Sequence, residues 1–372
     1  MNKTHWFRIY VLPGLVFQSL VIGGGYATGR ELVEFFLSLG PRQGLMAMLV
    51  TAVVWSLVTA ASFEFARSTG SLDYRSFFKN LLGPFWVVFE MAYFVLMLLV
   101  LAVIAAASGA MLHQTFGIWP PAGTLLLMGS IGILTFFGSN VIENFMSGWS
   151  FLLYAVYATF LFWGLYEFSD GISAAFDTAH PDGNWAVAGV KYAGYNLAVI
   201  PAVLFCLRHT ERRSQALISG GIAGLLAIVP GIFFYVVLVG FYPEILQDPI
   251  PVSTVLAAFG ATWFGLVFQI VIFGTFVETG TGLLHAINER VERNLVELGR
   301  VMPRSARPAV ALGALTLAIV LGNQLGLIKL IANGYGVLTW VFIATFVIPV
   351  LAWALKNLLI RNTVNPGDKG TR

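Results

Sequence analysis

The chain has 372 residues, 58% of them hydrophobic and only 10% charged, with a mean hydropathy of +0.82. Soluble domains carry about a quarter charged residues, so water is excluded as the main solvent. A net charge of only +3, with basic residues sorted by membrane side rather than gathered on one binding face, argues against a nucleic-acid binder. Cys206 is the only cysteine, which excludes an intramolecular disulfide and a multi-cysteine metal site.

A hydrocarbon core about 30 Å thick takes about 20 apolar helical residues. Ten stretches qualify, at roughly 6–37, 43–67, 84–112, 121–138, 146–168, 185–207, 214–241, 252–288, 306–322 and 327–357. The first has no cleavable signal pattern and reads as a retained span. Within it lies Val21-Ile22-Gly23-Gly24-Gly25-Tyr26-Ala27-Thr28-Gly29-Arg30. Each glycine costs a helix about 1 kcal/mol. Close packing against a neighbour suits Gly29, but three glycines in a row point to an unwound segment at mid-membrane. Such backbone is tolerated only where it lines a cavity or is buried in protein. Arg30 and Glu31 follow toward the outside and suit an external gate or a substrate carboxylate; for Arg30, snorkelling to the interface is an equal alternative.

The second span ends in Glu64-Phe65-Ala66-Arg67, whose charges suit an inner structural pair. Glu90 and Tyr93 open the third span at the inner interface. Aromatic residues of the fifth, such as Tyr154 and Tyr157, suit packing. The acidic segment about 169–184 carries turn signals and reads as a loop. The sixth span holds Lys191-Tyr192-Ala193-Gly194-Tyr195-Asn196 and then Pro201, which lacks a backbone donor and pushes Ile200 toward extended geometry. The eighth holds Thr275, Glu278 and Thr279. The two threonines are four apart and share a face, and Glu278 is a charge well inside a span, which marks function by default. Threonines in membrane helices also bond back to their own helix. His285 and Glu289 read as a solvated helix end, and the last dozen residues as a disordered tail.

The charges orient the chain. With both termini inside, 17 of the 21 basic residues fall on the cytoplasmic side. This implies a multi-pass protein of the cell (inner) membrane. Spans one to five cover about 6–168 and spans six to ten about 185–359, and each half opens with a Gly- or Pro-interrupted helix. Five spans invert the second half. An inverted repeat with paired broken helices is the mark of secondary transporters. Where a helix breaks, unpaired N–H groups favour an anionic group and unpaired carbonyls a cation.

Ile22-Gly23-Gly24-Gly25-Tyr26-Ala27-Thr28-Gly29-Arg30-Glu31, followed by Phe35-Phe36, resembles the first-helix signature of the YkvI-type membrane proteins. That family lies in the amino acid–polyamine–organocation superfamily. The segment is more distantly similar to the first helix of LeuT-fold neurotransmitter:sodium symporters. Glu64-Phe65-Ala66-Arg67 resembles that fold's second-helix ending, one residue short. The resemblance implies an all-α polytopic membrane protein of about ten transmembrane helices: a LeuT-like 5+5 inverted repeat, a single transporter domain with broken helices one and six. It implies ion-coupled symport of a small polar organic solute, an amino acid or related zwitterion. The alternatives are a passive channel or a membrane receptor. The expected solute site is Gly23, Gly24, Gly25, Tyr26, Thr28, Tyr195 and Asn196. The resemblance implies sodium held by the carbonyls of Ile22 and Gly25 with Thr275 and Thr279. Glu278 departs from the paired-hydroxyl pattern and suits either reinforcing sodium or carrying a proton. No catalytic constellation or further cofactor is expected.

Overall fold

The glycine triplet does not let the first span run as one helix. A computed structural model describes residues 3–137, 139–178, 183–297, 299–300, 303 and 306–364, with side-chain surroundings for all of these except 3–4, 24, 135–137, 139–151, 293–294, 297 and 358–364. A lead-in helix α1 (Lys3–Tyr10) is followed by α2 (Leu12–Val21), α3 (Gly24–Ala27) and α4 (Arg30–Phe35). The first break is at Ile22 and Gly23, where Gly23 is extended at φ −104°, ψ −163°. The second is at Gly29, at φ +80°, a left-handed geometry that disfavours any Cβ. The unwinding is thus narrower than expected at the triplet, since Gly24 and Gly25 open α3, and it recurs six residues later.

The second span is α5 (Pro41–Thr69), followed by a short amphipathic helix α6 (Tyr74–Leu82), N-capped by the Asp73 side chain. Then come α7 (Trp86–Phe116), α8 (Pro120–Phe137) and α9 (Ser139–Glu167). The segment read as an acidic loop contains α10 (Ser169–Asp177), so its first half is helical. The sixth span starts as α11 (Trp185–Asn196) and changes at Leu197 into two 3₁₀ stretches, Leu197–Ala202 and Leu204–His209. Pro201 cannot donate to an i−4 carbonyl, and the chain there tightens rather than unwinds.

The second half continues with α12 (Arg213–Val239) and α13 (Pro251–Ala258), then α14 (Thr262–Glu297). The expected eighth span, 252–288, is therefore two helices. Gly260, at φ +66°, turns the chain between them. The ninth span is α15 (Ala306–Lys329), broken by Gly326 at φ +72°. The tenth alternates wide and ordinary turns: a π stretch Leu330–Tyr335, α16 (Gly336–Phe342), a π stretch Ile343–Val347 and α17 (Ile348–Val364).

Among the described residues no strand occurs, and five helices are long and apolar enough to cross a membrane. Apolar side chains such as Leu49, Val53 and Leu57 of α5 lie exposed on one face, as a lipid-facing surface requires. On the other face, small residues bring α5 against α12. A Cβ on Gly224 would lie 2.3 Å from the Ser56 amide nitrogen, and one on Gly220 2.4 Å from Ala60. The hydroxyl of Ser56 donates to Gly221 O across this contact at 3.0 Å, and that of Thr51 to Gly189 O on α11 at 2.9 Å. Helices α2, α5, α11 and α12 form one packed group; α7, α8, α14 and α15 form another.

Candidate functional site

A cavity of about 430 Å³ lies where these two groups meet the broken first helix. Its lining runs along α2 and the first break from Ser19 to Gly23. Tyr195, Asn196, Val199 and Ala202 supply the sixth span, and Thr275, Glu278, Thr279 and Ala286 the eighth. Tyr93, Met97 and Val100 come from α7, and Tyr335 from the first π stretch. Of the expected solute and ion residues, Ile22, Gly23, Tyr195, Asn196, Thr275, Glu278 and Thr279 all meet on this one cavity.

Others do not line it. Tyr26 is buried against Phe234 of α12, with ring centroids 6.3 Å apart. Thr28 turns inward, donates its hydroxyl to Gly25 O at 2.9 Å, and offers its own carbonyl to the Val252 amide at 3.0 Å. In a helix only four residues long, successive side chains point in different directions, so adjacency in sequence carried Tyr26 and Thr28 away from the break. Gly25 lies behind Glu31 instead of at the wall, and its carbonyl already accepts from Thr28. Gly24 has helical backbone, and its surroundings lie outside the described residues.

Arg30 and Glu31, paired as gate residues by the sequence, part company. Arg30 is 4% exposed and donates to Leu246 O at 2.8 Å, Asp248 O at 3.1 Å and Glu34 Oε2 at 2.6 Å. It thereby fastens α4 to the 3₁₀ turn Glu244–Gln247 in the loop after α12. Glu31, 5% exposed, turns the other way into the cavity. Its Oε2 accepts from the Tyr195 hydroxyl at 2.6 Å, and its Oε1 lies so near Gly25 that a Cβ there would be 2.3 Å away. The second break explains this. Left-handed Gly29 resets the direction of α4, so the residue after Arg30 is aimed back across α3.

Tyr195 stacks on Tyr335 with centroids 4.5 Å apart and planes at 14°. Phe35, Phe36 and Tyr192 pack beside them. These buried rings close the end of the cavity nearest α4. At the other end, Ser19, Leu20 and Ala202 are exposed. Tyr335 lines the cavity and was missed by the sequence reasoning; the flanking glycines in Asn333-Gly334-Tyr335-Gly336 are the signal it left.

Thr275 donates its hydroxyl to Val271 O at 2.9 Å. That is the back-bond open to any threonine in a membrane helix, and it leaves the oxygen lone pairs facing outward. Glu278 and Thr279 are half-buried at the cavity wall.

Near the open end Arg290 of α14 sits 3.3 Å from Glu90 of α7 and 4.7 Å from the ring centres of Tyr74 and Tyr93. The Tyr74 hydroxyl also donates to Glu90. Glu64 accepts two bonds from Arg67, at 2.7 and 2.8 Å, and faces Arg213 at 3.9 Å. Among the described residues no group of His, Cys, Asp and Glu is arranged to hold a metal ion.

No protein-family model matches the chain. The sequence is similar to an uncharacterized membrane protein, YkvI, of Bacillus subtilis (strain 168): 23% identical over 338 residues, covering 88% of this chain and 92% of that protein. The fold is similar to that of MhsT, solved in complex with L-phenylalanine. The two are 15% identical, with 91% of this chain and 86% of that one covered and a TM-score of 0.60. A Na+-coupled sialic acid symporter, solved substrate-bound and outward-open, matches at 14% identity over 93% of this chain and 87% of its own, with a TM-score of 0.52. The chain is a multi-pass membrane protein with a LeuT-like fold.

Proposed function

We propose that this chain is a secondary active transporter that carries a small polar organic solute by alternating access, coupled to an ion. One observation carries the reading: the cavity sits where the interrupted first helix meets the α-to-3₁₀ change of the sixth, at the junction of two helix groups. Interrupted helices meeting around a central site are what a rocking transporter needs. The repeats about 6–168 and 185–359 then act as one transport unit in the cell membrane, with both termini cytoplasmic.

In this reading the solute lies against Gly23, Glu31, Tyr195, Asn196 and Tyr335. A sodium ion lies beside it, at the Ile22 carbonyl, Thr275, Thr279 and Glu278. Similarity to a Na+-coupled symporter supports sodium as the coupling ion. Proton coupling through Glu278 is the second reading, favoured by a carboxylate that lines the cavity without an ion-pair partner among the described residues.

Uptake into proteoliposomes tests the proposal. Labelled solute accumulates above equilibrium when an inward sodium gradient is imposed. Flux that only equilibrates identifies a facilitator, and binding without flux a receptor. Uptake indifferent to replacing sodium by choline, yet driven by an inward proton gradient, moves the coupling to Glu278.

A further inference from the structure

Away from the central cavity, two further cavities meet on one flank of α14. The first, of about 440 Å³, lies between the end of α7, α13 and the start of α14. Gln114, Thr115, Ser253, Thr254 and Thr262 give it a hydrogen-bonding wall, and no charged residue is among the described residues that line it. The second, of about 660 Å³, runs along α7, α8 and α14 and is almost wholly apolar, with Leu126, Ile133, Ile270 and Val277 among its walls. Leu266 and Gln269 belong to both, so the two join. Leu126, Ile133 and Ile270 are exposed, so the apolar cavity is a groove open to the lipid-facing surface. From Leu266 to Val277 it follows about 16 Å of helix at 1.5 Å per residue, the depth of one leaflet of a core about 30 Å thick. Trp263, exposed, follows Thr262 beside the polar cavity, and tryptophans of membrane proteins gather at head-group level. Two polar side chains of the polar wall are unsatisfied. Gln269 is 8% exposed and Ser253 9%, and neither Gln269 Oε1 nor the Ser253 hydroxyl has a hydrogen-bond partner among the described residues. Buried polar groups left so are costly. The carboxylate tied to this wall, Asp248, accepts from the Gln114 side-chain amide at 3.3 Å, the Ile250 amide at 2.9 Å and the Thr254 hydroxyl. It sets a negative charge behind the cavity, which disfavours a phosphate.

From this juxtaposition of an uncharged polar cavity with a membrane-facing groove we infer that the flank formed by α7, α8, α13 and α14 binds one bilayer lipid, a diacylglycerol lipid whose head group is uncharged and hydroxylated. One acyl chain lies in the groove between Leu266 and Val277. The head-group hydroxyls occupy the polar cavity, where they donate to Gln269 Oε1 and exchange hydrogen bonds with Ser253, Thr115 and Thr262. A soluble sugar lacks the chain that fills the groove, and a phospholipid brings its phosphate toward Asp248. The site is separate from the central cavity: α14 presents Thr275, Glu278 and Thr279 to that cavity and Ile270, Phe273 and Val277 to the groove. It stands whether or not the central cavity carries a solute.

The test is native mass spectrometry of the purified full-length chain, held in lauryldimethylamine oxide, a detergent whose head carries no hydroxyl. The chain is titrated with dioleoyl lipids that differ only in head group: glucosyl, phosphocholine and phosphoglycerol. The glucosyl lipid binds as one adduct about tenfold more tightly than either phospholipid, the worth of one or two net hydrogen bonds. Free glucose in large excess neither binds nor displaces it. Gln269→Leu removes the amide at the junction of the two cavities. Gly265→Leu fills the polar cavity, and its packing is undisturbed, because a Cβ there meets nothing nearer than Leu256 Cβ at 4.0 Å. Each variant loses the preference for the glucosyl head. Either phospholipid binding as tightly as the glucosyl lipid overturns the inference, as does displacement of that lipid by free glucose. A preference kept in Gly265→Leu overturns it as well, whatever Gln269→Leu does.

Discussion

Gly25 and Gly23 are two residues apart and do different work. A methyl group on Gly25 would lie 2.3 Å from Glu31 Oε1 and 2.8 Å from its Cγ, so the carboxylate has to move. A methyl group on Gly23 would meet nothing nearer than Val21 O at 4.0 Å. Gly25→Ala is therefore expected to displace Glu31 from Tyr195 and to weaken solute binding by at least tenfold, with the milder loss in Gly23→Ala. Titration of both variants with the same solute checks the order, and a larger loss at Gly23 contradicts the placement of Glu31. The hydroxyl of Thr279 and the carboxylate of Glu278 stand at the same wall. Thr279→Val is expected to raise the sodium concentration for half-maximal uptake several-fold. Glu278→Gln should weaken sodium dependence without abolishing it. If Glu278→Gln instead leaves exchange intact and removes accumulation driven by a pH gradient, the carboxylate carries the proton. That Gly23, Tyr195, Asn196, Thr275 and Thr279 would meet was legible in the sequence, because glycines, a proline and buried hydroxyls are costly in a membrane helix, and these residues line one cavity. The turn of Glu31 into that cavity was not, because it depends on one left-handed glycine whose φ no spacing reveals.

At the level of elements, the two breaks in the first span divide its labour. The break at Gly23 opens backbone to the cavity, and the break at Gly29 turns α4 so that Arg30 and Glu31 face opposite ways. Arg30 then acts as a strap across the closed end, with two loop carbonyls and Glu34 as its partners. Hydrogen bonds to a charged group contribute about 1.5–3 kcal/mol each, so losing them shifts a two-state equilibrium by roughly tenfold or more. With the lone natural cysteine replaced, Phe35→Cys reports on this end, since Phe35 is buried beside Tyr192 and Tyr195. Adding Arg30→Ala is expected to speed labelling of that cysteine several-fold from the side of the α12–α13 loop. An unchanged rate means that the aromatic rings, not the strap, hold the closure. Hydropathy located the spans well but could not divide the eighth. Residues 252–258 are as apolar as the helix after them, and only the left-handed turn at Gly260 separates the two. The helix in residues 169–177 was missed for the opposite reason: its polar composition was read as loop.

For the molecule as a whole, the question is which way the cavity faces. Its closed end is built from α4, Tyr192, Tyr195 and Tyr335. Its open end lies by the N-terminal half of the broken helix, near Ser19, Ala202 and Ala286. The sequence places 17 of its 21 basic residues at the same end as the N-terminus, which the positive-inside rule assigns to the cytoplasm. On the proposed topology, with both termini cytoplasmic, this is the arrangement of an inward-facing state, and the same two helix groups must separate at the other end for solute to exchange outside. Ser19 is exposed at the mouth, so Ser19→Cys in a chain with Cys206→Ser reads this orientation directly. A membrane-impermeant thiol reagent is expected to label it in inside-out vesicles and not in right-side-out ones. Saturating sodium with solute should slow that labelling, because a ligand shifts the population toward whichever state binds it more tightly. Labelling only in right-side-out vesicles would invert the topology. Labelling from both sides would mean a continuous pore, and a passive channel would replace the transporter.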